Sequence, residues 1–183
     1  PERAIRGKSH WREVVRAIND PQKIVVFSTA PSVRVGLGEC FGGRPGDFVE
    51  GRMVSALREL GADYVLDVAF SADLTIMEEG TEFLRRFLTG SHPLPQFTSC
   101  CPAWVKYVET FHPERIGCLS SAKSPISMQG ALIKTYFARE QGIDPGRIVN
   151  VAVAPCTAKK FEISREELCS SGIYQGIPGL MDN

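Results

Sequence analysis

The run KIVVFS at 23–28 constrains the chain most. It is apolar on successive residues rather than on alternate ones. A strand with one wet face alternates with period two, and a strand covered on both faces does not. The run therefore predicts a strand buried in a parallel sheet. ADYVLDV at 62–68 and the stretch 148–153 read as strands too, and 94–99 reads as a short strand between them. Helical patterns fall in the gaps. One spans 9–20, with Ser9 as N-cap, Val14, Val15 and Ile18 along one face, and Pro21 as its stop. Others span 47–60 with Gly61 just past the end, 71–88 capped by Ser71 or Asp73, 102–112 with Pro102 in the first turn, and 124–142 led by Ser124. A last short helix begins near Ser164. Strand and helix alternate four times. That predicts an α/β fold, a mainly parallel four-stranded sheet flanked by helices on both faces. No repeat or linker interrupts 1–183, which reads as one domain. Residue 1 is proline rather than methionine and no clear stop follows Gly179, so the domain is expected to be incomplete.

Charge narrows the function. The 21 basic and 21 acidic residues cancel, so no footprint for nucleic acid or an anionic surface is expected. No stretch approaches the roughly 20 apolar residues of a membrane span, and no signal peptide stands at the start. The expected compartment is the cytoplasm, with the periplasm as the alternative for a chain whose termini are missing.

Ligands of open α/β sheets lie outside the carboxyl ends of the strands. Three predicted strands run out into Ala30-Pro31-Ser32, Thr98-Ser99-Cys100-Cys101 and Pro155-Cys156-Thr157-Ala158-Lys159-Lys160. In a parallel sheet these loops share an edge, so Cys101, Cys156 and Lys159 are expected to converge. Cys101 falls at the N-cap of the 102–112 helix, where the helix dipole favours a thiolate. Cys100 is its neighbour, and adjacent side chains diverge, so the two are not expected to bind one metal ion. A zinc site is disfavoured, because the chain has no C-x-x-C spacing and its three histidines lie elsewhere. Cys40, Cys118 and Cys169 read as small hydrophobes. For Cys100 the residues alone leave packing and function both open.

Glu79, Glu82 and Arg86 share one helix face at i, i+3 and i+7, with Phe83 and Phe87 beside them as expected core. Taken alone, the polar row reads as a solvated face with one Glu82–Arg86 pair. Gly36-Leu37-Gly38-Glu39 lacks the third glycine and the lysine of a phosphate loop, so nucleotide binding is not expected.

Three stretches, TSCCPAW at 98–104, LSSAKSP at 119–125 and APCTAKKFE at 154–162, closely resemble the catalytic domain of iron-only (FeFe) hydrogenases. APSVRVGLGECFG at 30–42 and DLTIMEEGTEF at 73–83 resemble that family in the same order. The resemblance covers nearly the whole chain and implies the first lobe of a two-lobed catalytic domain. It implies the H-cluster, a 4Fe-4S cubane joined through a cysteine to a diiron subsite with carbon monoxide, cyanide and a bridging dithiolate. The implied reaction is the reversible reduction of two protons to H2. Ferredoxin or accessory iron–sulfur domains would exchange the electrons, and maturation machinery would load the cluster. Cys101 and Cys156 match two cubane ligands, and Cys100 matches the thiol that passes protons to and from the subsite. Glu79, Ser120, Glu82 and Arg86 match the proton chain to the surface. Lys159 matches a lysine that hydrogen-bonds one cyanide, and Pro31 and Ser32 match a loop that cradles the other.

The chain departs from the family at Ala154, where methionine is usual, and at Ile126, where many members carry glutamine. The family's third cysteine motif, which supplies the remaining cluster ligands, is absent, so the fragment alone is expected to be inactive. Two other classes fit the resemblance. One is a hydrogenase-like scaffold of cytosolic iron–sulfur assembly, disfavoured because such relatives typically lack the cysteine at 100. The other is a sensory H2-binding hydrogenase, which Ala154 keeps open.

Overall fold

The computed structural model describes residues 9–183. The chain runs α1 (Trp11–Ile18), β1 (Ile24–Thr29), α2 (Val33–Gly36), α3 (Glu50–Glu59), β2 (Tyr64–Asp67) and α4 (Ala69–Thr89). It continues through α5 (Pro102–Phe111), α6 (Pro125–Leu132), α7 (Ala138–Gln141), β3 (Ile148–Val153), α8 (Lys159–Glu162) and α9 (Ser170–Gln175). Among the described residues the sheet has three strands in the order β2-β1-β3, all parallel.

β1 is the central strand, and Val25, Val26 and Phe27 are all buried. Consecutive buried residues on a pleated strand mean that both faces are covered. On one face Val26 and Ile148 pack with Ile133 and Ala138, and Ile24, Tyr64, Leu66, Phe137 and Ile143 close the cluster. Tyr64 meets Phe137 edge to face at 4.9 Å. α6 and α7 form one rod, joined by a π-helical turn over Ile133–Phe137. Ser124 caps its start by accepting the Ser127 N–H, and Gly142 ends it in the left-handed region at φ 63°. Gly130 on this rod faces the chain's last residues. A Cβ there would lie 2.5 Å from Asn183 Nδ2 and 2.7 Å from Asp182 O, so no larger residue fits without displacing them.

Four expectations need correction. The 94–99 segment is not a sheet strand. Only Phe97 pairs, in an isolated parallel bridge to Leu119, through Phe97 N–H to Cys118 O at 2.8 Å and Ser120 N–H to Phe97 O at 2.7 Å. Pro93 and Pro95 have no N–H to offer a ladder, so the sheet has three strands rather than four. The long helix begins at Ala69, not at Ser71 or Asp73. Asp67 Oδ1 accepts the Ala69 N–H at 2.9 Å, while the buried Ser71 hydroxyl donates back to Val68 O. Ser9 is not the first N-cap; His10 occupies that position without a side-chain bond. Phe83 and Phe87 are not core. They stack on each other with centroids 6.0 Å apart and remain 45% and 64% exposed. Of the three cysteines read as hydrophobes, Cys118 is buried, Cys169 half-buried and Cys40 exposed.

A buried lysine sits against this core. Lys134 Nζ donates to Pro145 O at 3.0 Å and to Ile148 O. Burial pushes its amine down to about 8; Lys23 adds repulsion, and Asp182 and Asp144 oppose the shift. The folded value lies below the ordinary 10.5, so stability should rise as the pH climbs from about 8 to 10.5. Relative to Lys134→Met, the wild type should gain on the order of 2–3 kcal/mol across that window in urea unfolding. Parallel stability curves for the two proteins would show instead that the amine keeps its ordinary basicity.

Candidate active site

Two of the three loops named in the sequence leave the sheet side by side. Ala30 N–H bonds Val153 O at 2.9 Å, which sets the exit of β1 against that of β3. Pro31 and Ser32 follow and are exposed. Ser32 opens α2, and its hydroxyl makes no capping bond. After β3 the chain passes Ala154, Pro155 and Cys156 into α8, where Lys159 N–H bonds Cys156 O at 3.2 Å.

The third loop, 98–101, comes from no strand. The Phe97 bridge holds one end, and Ser99 Oγ donating to Ala122 O at 2.6 Å holds the middle. Cys101 is the N-cap of α5, with extended backbone at φ −98° and ψ 111°, and Pro102 fills the first turn. The Lys159 side chain reaches this loop. Its Nζ donates to Cys100 O at 2.5 Å and to Glu162 Oε2 at 2.5 Å. Glu162 is buried, and its other oxygen accepts the Ser127 hydroxyl at 2.7 Å. The structure thus joins the cysteine pair to the loop carrying Cys156 through one ammonium. Sequence reasoning missed Glu162 and Ser127. The signal for Glu162 was its place three residues after Lys159 on a helix start.

Cys100, Cys101 and Cys156 are exposed free thiols. Beside Cys156, a cavity of about 530 Å³ extends along β3 to α1, lined by Trp11, Val151, Ala154, Thr157 and Lys159. Its size is that of a small-cofactor site. Among the described residues no group of three or more His, Cys, Asp or Glu is disposed to hold a metal ion. Two accessible thiols, Cys101 at the start of α5 and Cys156 ahead of α8, fit part of an iron–sulfur group's ligand set, and two do not close a four-ligand set.

The row on α4 is not a solvated face. Arg86 is only 3% exposed. Its Nε and Nη2 donate to Glu82 Oε1 at 3.2 and 2.6 Å, Nη1 donates to Gly117 O and Pro93 O, and Nη2 also donates to Leu119 O. Glu82 Oε2 accepts the Ser120 hydroxyl at 2.6 Å and the Ser121 N–H at 3.0 Å. Burial pushes the Glu82 carboxyl up, but the bonds from Ser120, Arg86 and the Ser121 N–H outweigh it and hold it below the usual carboxylate range. A cavity of about 490 Å³ opens beside it, lined by Arg85, His92, Ser121 and Lys123 among others. Glu79 lies one turn earlier with no bond to this cluster. Its Oε1 is buried without a partner among the described residues, while Gln96 Nε2 donates to its backbone carbonyl at 3.1 Å. Ser120, Glu82 and Arg86 are therefore brought together, and Glu79 stands apart from them.

Residues 23–176 match the family described as "Iron only hydrogenase large subunit, C-terminal domain". The chain is 50% identical over 179 residues to the NADP-reducing hydrogenase subunit HndD of Solidesulfovibrio fructosivorans, covering 94% of this chain and 30% of that protein. It is 45% identical over 173 residues to iron hydrogenase 1 of Clostridium pasteurianum, with the same coverage of 94% and 30%. An apo form of the FeFe-hydrogenase HydA1 from Chlamydomonas reinhardtii superposes with a TM-score of 0.87 at 40% identity, over 96% of this chain and 44% of its own. At lower identity, 37% over 158 residues, the chain is similar to cytosolic iron-sulfur assembly component 3 of Bos taurus, over 84% of this chain and 33% of that protein. The chain belongs to the iron-only hydrogenase large-subunit family, and it spans about 30% of the length of the first two relatives.

The Glu82–Arg86 pair should matter to stability as a buried pair does. Arg86→Leu strips Glu82 and three backbone carbonyls of their donor, and should cost about 3–5 kcal/mol in thermal or chemical unfolding. A cost under about 0.5 kcal/mol would mark the pair as solvated. Because the folded carboxyl titrates below its ordinary 4.5, its contribution is full above that pH and is lost as the pH falls through the depressed value. Glu82→Gln should flatten that acid limb.

Proposed function

We propose that the chain is the first lobe of the catalytic domain of an FeFe hydrogenase, one part of a longer catalytic unit. The reaction is the reversible reduction of two protons to H2. The observation that carries this reading is the Lys159 ammonium on the Cys100 carbonyl, which joins two motif loops at one sheet edge. The H-cluster, when bound, supplies the redox chemistry and the site of H–H bond making and breaking. Cys101 and Cys156 would hold its cubane, and the remaining ligands would come from the rest of the catalytic unit. Pro31 and Ser32 after β1, and Lys159 on α8, would supply donors to its cyanide groups. An anionic ligand in an enclosed site wants such donors.

This chain's own residues handle the protons. Cys100 holds the proton nearest the reacting atoms on its sulfur. A thiol suits that task because its pKa, ordinarily about 8.5, lies within reach of working pH. Ser120 and Glu82 would pass protons to and from the cavity beside Arg85 and His92, and Glu79, which stands apart from them in this structure, would have to close the gap to Cys100. Glu82 rests ionised because Arg86 and Ser120 bind it, so it is ready to accept a proton from the cavity. The Ser120 hydroxyl donates to Glu82 and accepts from Ala122 N–H, which holds its oxygen in place beside the carboxylate. Ferredoxin or accessory iron–sulfur domains exchange the electrons, and maturation proteins load the cluster.

The similarity to an iron–sulfur assembly component favours a second reading, a non-catalytic cluster scaffold. Cys100, Glu79, Ser120 and Glu82 have no task in a scaffold. One substitution separates the readings. In the complete, cluster-loaded protein, Cys100→Ala should leave iron content unchanged and lower H2 turnover at least a hundredfold. Unchanged turnover would end the relay assignment, and a wild type that binds iron but never turns over H2 would favour the scaffold. Cys101→Ala should instead abolish cluster loading, read as lost iron and lost visible absorbance.

A further inference from the structure

Lys159 is held by more than its own chain direction. An ammonium has three N–H donors. In this structure two are engaged, one by Cys100 O at 2.5 Å and one by Glu162 Oε2 at 2.5 Å. The third has no acceptor among the described residues. Glu162 is itself fixed. It lies on α8 at i+3 from Lys159, it is only 5% exposed, and the buried Ser127 hydroxyl binds its second oxygen at 2.7 Å. Ser127 is fixed in turn, because its N–H is the one that Ser124 caps at the start of α6. A four-atom stem with three rotatable donors does not hold one direction unaided. A buried carboxylate anchored to a different helix can impose one.

We propose that Glu162 is a positioning residue: with Ser127 behind it, it locks the Lys159 ammonium against the Cys100 carbonyl and leaves a single N–H directed at an anionic ligand. The inference rests on the hydrogenase reading for the identity of that ligand, the cyanide facing Lys159. The lock itself rests only on this chain's contacts. It also explains why the carboxylate is buried and fully paired rather than solvated.

Two measurements on the complete protein test it. In the cluster-free form, acetylation of each lysine by an N-hydroxysuccinimide ester is followed by peptide mass spectrometry. Glu162→Gln should raise the labelling rate of Lys159 at least fivefold while leaving exposed Lys106 unchanged. Ser127→Ala, a milder change, should raise it two- to threefold and serves if the first variant does not fold. Unchanged labelling of Lys159 in a folded variant would overturn the lock. So would an equal rise at Lys106 and Lys134, which means general loosening. In the cluster-loaded form, Glu162→Gln should shift one cyanide stretching band in the infrared, in the same direction as Lys159→Met, and leave the other in place. A spectrum identical to wild type would overturn the directed N–H. Absence of cyanide bands from the loaded wild type would instead refute the hydrogenase reading, and the labelling result would stand apart from it.

Discussion

Two of the three loops at the candidate site, and the helix with Glu82 and Arg86, hang on the register of β1. Thr29 pairs with Asp67 on one side and with Val153 on the other, so the three parallel strands end on one row. Their exits must therefore leave at the same level. β1 delivers Pro31 and Ser32, and β3 delivers Cys156 and Lys159. β2 feeds α4 directly, through Asp67 binding the Ala69 N–H, and so fixes where Glu79, Glu82 and Arg86 stand along that helix. A slip of one residue would turn every β1 side chain to the opposite face. With both faces of β1 buried, the slip is opposed by the polar key between β1 and β3, the Ser28 hydroxyl donating to Asn150 Oδ1 at 2.8 Å, which it would break.

The second constraint is electrostatic. Burying a guanidinium costs several kcal/mol unless every donor is met. Arg86 meets that condition. Its Nε, both Nη1 protons and both Nη2 protons have acceptors: Glu82, Pro93, Gly117 and Leu119, with Glu82 used twice. Three of those acceptors are backbone carbonyls, two of them in the segment that ends in Leu119. The same contact that neutralises Arg86 therefore docks that segment on α4, and the next residue, Ser120, arrives on Glu82. The alignment of hydroxyl and carboxylate is a by-product of satisfying the guanidinium. This is why a row that resembles an ordinary surface ion pair in sequence has a different meaning in the fold.

Most of the sheet was legible in the sequence, because the apolar runs at 23–28 and 148–153 carry their own burial pattern. The helix starts at Pro102 and Ser124, and the ends at Gly61 and Gly142, were legible from local chemistry. The failures share one cause, which is tertiary context. The 94–99 run has strand composition, yet its neighbour is a helical turn near Cys118 rather than a sheet edge, and one bridge is all it forms. Ser71 looks like a cap, but Asp67 already satisfies the first N–H of α4, and the serine turns inward. Phe83 and Phe87 have core composition on a helix whose outer face is open among the described residues. At the site, the cysteines and Lys159 could be named from their motifs. Glu162 and Ser127 could not be paired, since 35 residues separate them and only the tertiary fold brings α8 to the start of α6.

The two polar networks differ in one respect that bears on function. The Arg86 network is closed: five donors, five bonds, and nothing left to bind a ligand. Such a cluster can hold a geometry and transmit a proton along its edge, but it cannot recognise anything. The Lys159 network is open, with two donors engaged and one without a partner among the described residues. Leaving an ammonium donor unengaged on the loop that carries Cys100 and Cys101 adds nothing to packing that an apolar side chain would not. It makes sense where an anionic group completes the coordination. On the proposed reading, the open network is where an anionic ligand would be held, and the closed one fixes the Ser120–Glu82 contact along which a proton would pass.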